Sequence, residues 1–333
     1  MVIPTRPVMS PARVFLAGAA LLVSFCAQAD TALELKNAFI EKFKDRATID
    51  ASYTPKFAHS KPKTPSPSKP ANDGDIHISG SAPEIGLLSV AEIMNAKDFL
   101  NVVAFVQDHL GSETPLTGVW RIWPEHGGDS RHVQFEADPN DIVDTNPDHI
   151  FEVHPLTRVA NFDVSSTFHP IPGFRTKDAQ SAFQNYEHAR SEITPQGDAT
   201  VIRMSQATYN YVEFKLELLE DPTHNLQDGG LSLFGRVRSL DDEVLVQKRR
   251  MIFVAGTKPE QAVRTLTKSR CMHVLGMPRL DLSLVSWRVR CSKDQVDGLP
   301  NCSSKFPDVL RWGVPYEIVV LGDYKGSRSC GSD

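Results

Sequence analysis

Apolar and polar residues alternate along much of this chain, and each alternating stretch predicts a strand with one buried face. Residues 75–81 carry Ile76 and Ile78 on one side, and 88–94, 116–123 and 149–159 read the same way. A second series lies near 199–206, 209–219, 231–238, 244–254, 271–276, 281–290 and 315–322. Helical spacing is rarer. Leu35, Phe39 and Phe43 predict a helix over 32–46, and Phe99, Val102, Val103, Val106 and Leu110 predict one over 98–110. Ala179, Ala182, Phe183, Tyr186 and Ala189 mark a third over 178–190, with a short fourth near 260–268. Between 126 and 148 Gly, Pro, Asp and Asn are too frequent for regular structure. Many strands with isolated helices predict a β-rich α+β protein: two OB-like small β-barrel units with a few peripheral helices.

Composition divides the chain further. Val14 to Phe25 is an apolar run of 12 behind Arg6 and Arg13, and Ala27-Gln28-Ala29 follows it. That order reads as an export signal over 1–29 and is too short to span a bilayer, which takes about 20 residues. A periplasmic or secreted protein with no integral membrane segment after cleavage is expected. Residues 30–52 hold the short helix. From Tyr53 to Asn72 the chain turns to Lys, Ser, Thr and Pro, with Pro at 55, 62, 65, 67 and 70, which predicts an extended linker. Residues 73–160 then form the first barrel unit and 161–333 the second.

Cysteine usage agrees with export. Cys26 leaves with the signal, and Cys271, Cys291, Cys302 and Cys330 remain, an even number that predicts two disulfides. Three connectivities are open. The loop containing Gly298, Pro300 and Asn301 favours Cys291 with Cys302. Overall the 333 residues are 41% hydrophobic and 23% charged, with a net charge of −5, so no bulk basic field draws the protein to nucleic acid or membrane. Residues 30–160 carry twelve Lys and Arg against twenty Asp and Glu, a hint of cation binding in the first unit.

The candidate chemistry sits there. Side chains two apart on a strand share a face, so Asp73, Asp75 and His77 point one way, as do Glu152 and His154. If the two strands are neighbours, these five become ligands of one divalent ion: Mn, Zn, Ca or Mg. Glu92 and His126 are the candidate proton carriers, and His149 completes or orients the set. Gly74 and Gly127-Gly128 allow close backbone approach. The same acids also suit plain turn chemistry. Asp144, Asn146 and Asp148 begin like a calcium loop, but Pro147 intrudes and Pro155 stands where the closing Glu belongs, which excludes an EF-hand. No G-x-S-x-G, H-E-x-x-H, P-loop or G-x-G-x-x-G occurs.

Asp73-Gly74-Asp75-Ile76-His77, Ala91-Glu92-Ile93, Leu116-Thr117-Gly118-Val119, His126-Gly127-Gly128 and Phe151-Glu152-Val153-His154-Pro155 follow one another over about 85 residues. In that order they resemble a group of bacterial exported proteins with no assigned activity. The opening Asp-Gly-Asp is also similar to the turn of staphylococcal-nuclease-like OB barrels, whose acids hold calcium; that likeness implies a fold. This chain lacks that family's arginines and following acid. The leading functional expectation is an exported metal-dependent hydrolase, a phosphodiesterase in particular. The alternative is a non-enzymatic envelope module binding protein, glycan or nucleic acid. Lys248, Arg249 and Arg250, then Arg264, Lys268, Arg270, Arg279, Arg288 and Arg290, with Trp287 and Trp312 nearby, would line such a groove.

Overall fold

The computed structural model describes residues 30–128, 130–293, 313–324 and 330. The chain runs β1 (Thr31–Lys36), α1 (Asn37–Phe43), β2 (Thr48–Ala58), β3 (Ile76–Ser81), β4 (Leu88–Ile93), α2 (Leu100–Asp108), β5 (Thr114–Ile122), β6 (Arg131–Val133), β7 (Phe151–Val159) and β8 (Phe162–Asp163). It continues through α3 (Ala179–His188), β9 (Ser191–Gln196), β10 (Ala199–Met204), β11 (Val212–Leu218), β12 (His224–Asn225), β13 (Leu231–Arg238) and β14 (Val244–Phe253). The remaining elements are α4 (Lys258–Val263), β15 (Cys271–Leu280), α5 (Leu282–Lys293) and β16 (Tyr316–Tyr324).

Two five-stranded rings form the body, and they share one topology. The first closes as β2–β3–β4–β7–β5 and back to β2, with every neighbour antiparallel except the parallel pair β4–β7. The second closes as β11–β13–β14–β16–β15 and back to β11, again with one parallel pair, β14–β16. In each ring a helix, α2 or α4, separates the third strand from the fourth. This is the OB arrangement, built twice, and closure removes the exposed strand edges an open sheet would present. A third sheet, β6–β1–β10–β9, draws strands from both halves of the chain.

Alternation fixes the first barrel. Ile76 and Ile78 on β3, Ala91 and Ile93 on β4, Trp120 and Ile122 on β5, and Phe151 and Val153 on β7 all belong to one buried cluster. Slipping any of these strands by one residue would exchange that apolar set for His77, Glu92, Arg121 or Glu152, so the register is strongly specified.

The second barrel is pinned against the first through consecutive residues. Arg279 lays its guanidinium 3.6 Å from the Trp120 ring centroid and donates to the carbonyls of Trp120, Ala47 and Arg46. One residue earlier, the Pro278 carbonyl accepts from Arg121 Nε at 3.1 Å. The outer face of β5 and β7 is therefore roofed by β15. Among the described residues no helix is long and apolar enough to cross a membrane.

Several expectations are corrected. Residues 32–46 begin as a strand, because Leu33 and Leu35 alternate into the core before the helix starts at Asn37. The linker expected from Tyr53 instead opens as the end of β2: Tyr53 is buried and its hydroxyl lies 2.9 and 2.8 Å from the Ile78 and Ser89 carbonyls, which share its one proton. Pro55 is accommodated at a register shift against β3. The rest of that stretch is tied to the body, with Arg175 N donating to Pro70 O at 2.9 Å. The strand expected over 281–290 is a helix. Asp281 Oδ1 accepts from Ser283 N and Leu284 N as an N-cap, and Leu282, Val285 and Val289 are buried at helical spacing. The polar loop 126–148 contributes the short strand β6.

A disulfide joins Cys271 to Cys330 with a Cα–Cα separation of 5.2 Å. Cys302, and with it the favoured Cys291–Cys302 pair, lies outside the described residues, as do the expected export signal and Trp312. Four of the basic residues read as lining a groove are spent internally. Arg249 pairs with Glu187, Arg250 with Asp45 and Glu317, Arg264 with Glu260, and Arg279 with Glu317.

Candidate metal centre

Three strand pairings assemble the site on the face of the first barrel opposite its apolar core. His77 and Glu92 are direct cross-strand partners on β3 and β4. Arg121 and Glu152 are partners on β5 and β7. The parallel closure sets Ala91 against Val153, which brings Glu92 beside Glu152 and His154. Asp75 precedes β3 and shares His77's face. The turn before it runs through Gly74 at φ +79°, a conformation strained for any residue with a Cβ.

The donor atoms of Asp75, His77 and Glu92 lie within 4.8 Å of one another, and so do those of Glu92, Glu152 and His154. His77 Nε2 is 3.7 Å from Asp75 Oδ1 and 3.8 Å from Glu92 Oε1. His154 Nδ1 is 3.1 Å from Glu92 Oε2 and 3.4 Å from Glu152 Oε2. Two ligands about 2.0–2.2 Å from one ion lie roughly 3–3.5 Å apart, so the spacing suits coordination. The hydrogen bonding is what separates a ligand set from a structural network. Asp75 Oδ2, His77 Nδ1, Glu92 Oε2 and His154 Nδ1 are buried without a hydrogen-bond partner. Buried polar atoms are nearly always satisfied, and Asp75 Oδ2, Glu92 Oε2 and His154 Nδ1 in one cluster call for a partner; His77 faces the carboxylates through Nε2, so its orphaned Nδ1 is not counted with them.

Neighbouring groups orient the ring. His154 Nε2 is hydrogen-bonded to the Tyr211 hydroxyl at 2.5 Å, which leaves Nδ1 facing the carboxylates. Glu152 is held by Arg121 Nη1 through Oε2 and by His149 Nε2 at 3.3 Å through Oε1. Arg121 Nη2 also reaches Glu125 at 2.9 Å. His77 packs its ring 4.8 Å from that of His59, whose Nδ1 accepts from the His77 backbone N–H at 3.1 Å.

Electrostatics sort these groups. Burial, then the charges of Asp73 and Glu92, push the Asp75 carboxyl well above its ordinary range. Burial and the neighbouring Glu152 push Glu92 the same way. Burial alone would raise Glu152 too, but Arg121, His149 and His154 outweigh it and hold that carboxylate well below its usual value. His77 is driven down to about 3, first by burial and then by His59 and His154. Glu152 and Arg121 thus offset one another, while Asp75 and Glu92 favour their protonated forms until a cation displaces the protons, beside an imidazole already neutral, the state a metal ligand needs.

Of the residues read from the sequence, Asp75, His77, Glu92, Glu152 and His154 come together. Glu92 stands among the donor atoms at the point shared by both sets. Asp73 and His126 line the mouth of an adjoining cleft of about 860 Å³. His126 stacks on His149 with ring centroids 5.1 Å apart. The far wall of that cleft is Phe174, Arg175, Lys177, Tyr209 and Tyr211. Sequence reasoning missed Arg121 and Tyr211. Arg121 was findable as a lone cation between the apolar Trp120 and Ile122 in a strand; Tyr211 had no local signal. A second cleft, about 630 Å³, is lined by Asp138, Asp144 and Asp148. Asp138 and Asp144 there accept from the Asn140 and Asn146 backbone, so their chemistry is that of turns.

Comparison with known proteins adds little. No family model matches the chain, and no curated protein matches it. Among solved structures the chain is similar to a deletion mutant of the single-stranded DNA binding protein from Thermus aquaticus, at 9% identity over 70% of this chain and 84% of that one. The TM-score is 0.18, and no argument is taken from it.

Proposed function

We propose that this chain is a metal-dependent hydrolase of anionic esters, phosphodiesters in particular. The observation that supports the reading is the orphaned trio of Asp75 Oδ2, Glu92 Oε2 and His154 Nδ1, buried beside His77 Nε2 and an open cleft. A mixed carboxylate–imidazole set suits Zn or Mn, and such an ion supplies charge to a phosphoryl oxygen and acidifies water. Arg175 is exposed on the cleft wall and makes no ion pair among the described residues, so it is available to an anionic group. Lys177, 4.8 Å from the Tyr209 ring centroid, adds a second cation beside an aromatic face. His126 at the cleft mouth is pushed toward its neutral form, first by burial, which suits it to accept a proton. Export belongs to the same reading, supported by the Ala27-Gln28-Ala29 pattern and the Cys271–Cys330 bond.

The test is hydrolysis of bis(p-nitrophenyl) phosphate by purified protein with Mn or Zn, against the EDTA-treated control. Turnover that needs metal, falls about 10²-fold or more in His126→Ala and shows a raised KM in Arg175→Ala is expected. A second reading, a binding module for protein, glycan or nucleic acid, draws on the paired OB-like barrels, which present binding surfaces without needing catalysis. Bound metal with no turnover on any ester would favour it.

A further inference from the structure

Glu92 offers its two oxygens in two directions. Oε1 is the atom nearest His77, on the side of Asp75, whereas Oε2 is nearest His154, on the side of Glu152. Among the described residues the five donors fall into two sets of three that share only this residue. We infer that the centre is dinuclear, with Glu92 as a bridging carboxylate. One divalent ion takes Asp75, His77 and Glu92 Oε1, and the other takes Glu92 Oε2, Glu152 and His154. The inference rests on the metal-binding part of the proposed function and goes beyond it in number and arrangement.

Two features favour two ions over one. A single ion would have to draw both imidazoles and three carboxylates inward, yet β3, β4 and β7 are fixed by barrel register and by the apolar residues alternating with the ligands. A bridging carboxylate spans the roughly 3.5–4 Å between the ions of a two-metal site without any such movement. Charge agrees. Once cations displace their protons, Asp75, Glu92 and Glu152 supply three negative charges, of which Arg121 offsets one, and two divalent cations would leave a net positive centre. That balance attracts a phosphodiester anion and suits in-line displacement between two ions. Arg121 does not block the second position, since Glu152 Oε2 has two lone pairs and the guanidinium uses one. Orphan atoms occur in both sets: Asp75 Oδ2 in the first, His154 Nδ1 in the second.

Metal content decides the matter. Full-length protein is loaded with Mn, passed through gel filtration and assayed by plasma mass spectrometry. Two equivalents are expected for the wild type, about one each for His77→Ala and His154→Ala, and less than one for Glu92→Gln. The electron paramagnetic resonance spectrum of the wild type should show exchange-coupled manganese, which needs no variant to fold. One equivalent in the wild type, with the spectrum of an isolated ion, overturns the dinuclear assignment and leaves the hydrolase reading standing. No retained metal at all overturns both.

Discussion

Glu92 Oε2 and His154 Nδ1 lie 3.1 Å apart, both buried, and no hydrogen bond joins them. An imidazole–carboxylate pair at that distance would ordinarily align an N–H on the oxygen. Here both atoms aim past each other, each constrained by its own strand and His154 additionally by Tyr211. Metal that binds the native state alone must therefore stabilise it. At a free concentration 100 times Kd the gain is about 2.7 kcal/mol. Thermal melts with Mn or Zn should rise by several degrees, EDTA should reverse the rise, and His154→Ala, which removes a ligand of one ion only, should reduce it.

Arg121 is the counter-charge on which the buried Glu152 depends. Replacing it with Met leaves a carboxylate unpaired in the interface between the barrels, a loss of about 3–5 kcal/mol. Urea unfolding of Arg121→Met should show that loss. The double variant Arg121→Met with Glu152→Leu should recover much of it, because removing both charges avoids the uncompensated one.

Much of this was legible in advance, and what escaped is instructive. Strands whose polar face meets solvent or the site alternate cleanly, so β3, β4, β5 and β7 and the acid–imidazole pairs on them can be read from spacing alone. Local reading failed where tertiary partners decide. Leu33 and Leu35 suit a strand only because β10 lies alongside. Leu282-Ser283-Leu284 mimics alternation, and the Asp281 cap is what commits the segment to a helix. Tyr53 lies in a stretch whose composition reads as a linker, yet it fills the first barrel. The roof over the site could not be inferred at all. Pro278 and Arg279 stand more than 150 residues from Arg121 and Trp120, and only barrel packing brings them together.

A pH-dependent term comes from Glu317. Burial pushes its carboxyl up to about 7, against the pull of Arg279, with Asp281 adding to the rise. The folded chain then holds a proton that the unfolded chain has released, so stability falls as pH climbs from about 4.5 to about 7. Above that window the contribution is flat. Chemical denaturation at pH 5, 6, 7 and 8 should show the decline, and Glu317→Gln should remove its share of the slope.

The Cys271–Cys330 bond closes a span of 59 residues and so restricts the unfolded chain. Replacing both cysteines with Ser should cost about 2–4 kcal/mol in urea unfolding. Because the strand β15 that begins at Cys271 also carries Pro278 and Arg279, the loss should be accompanied by faster hydrogen exchange along that strand.

The most direct measurement of the central claim is an anomalous-difference map from a crystal grown with Zn or Mn. Two peaks are expected between β3, β4 and β7, roughly 3.5–4 Å apart, one about 2.0–2.2 Å from His77 Nε2 and the other from His154 Nδ1, with the Glu92 carboxylate between them. A map at saturating metal with no peak there, and His154 Nδ1 turned onto a protein acceptor instead, would contradict it.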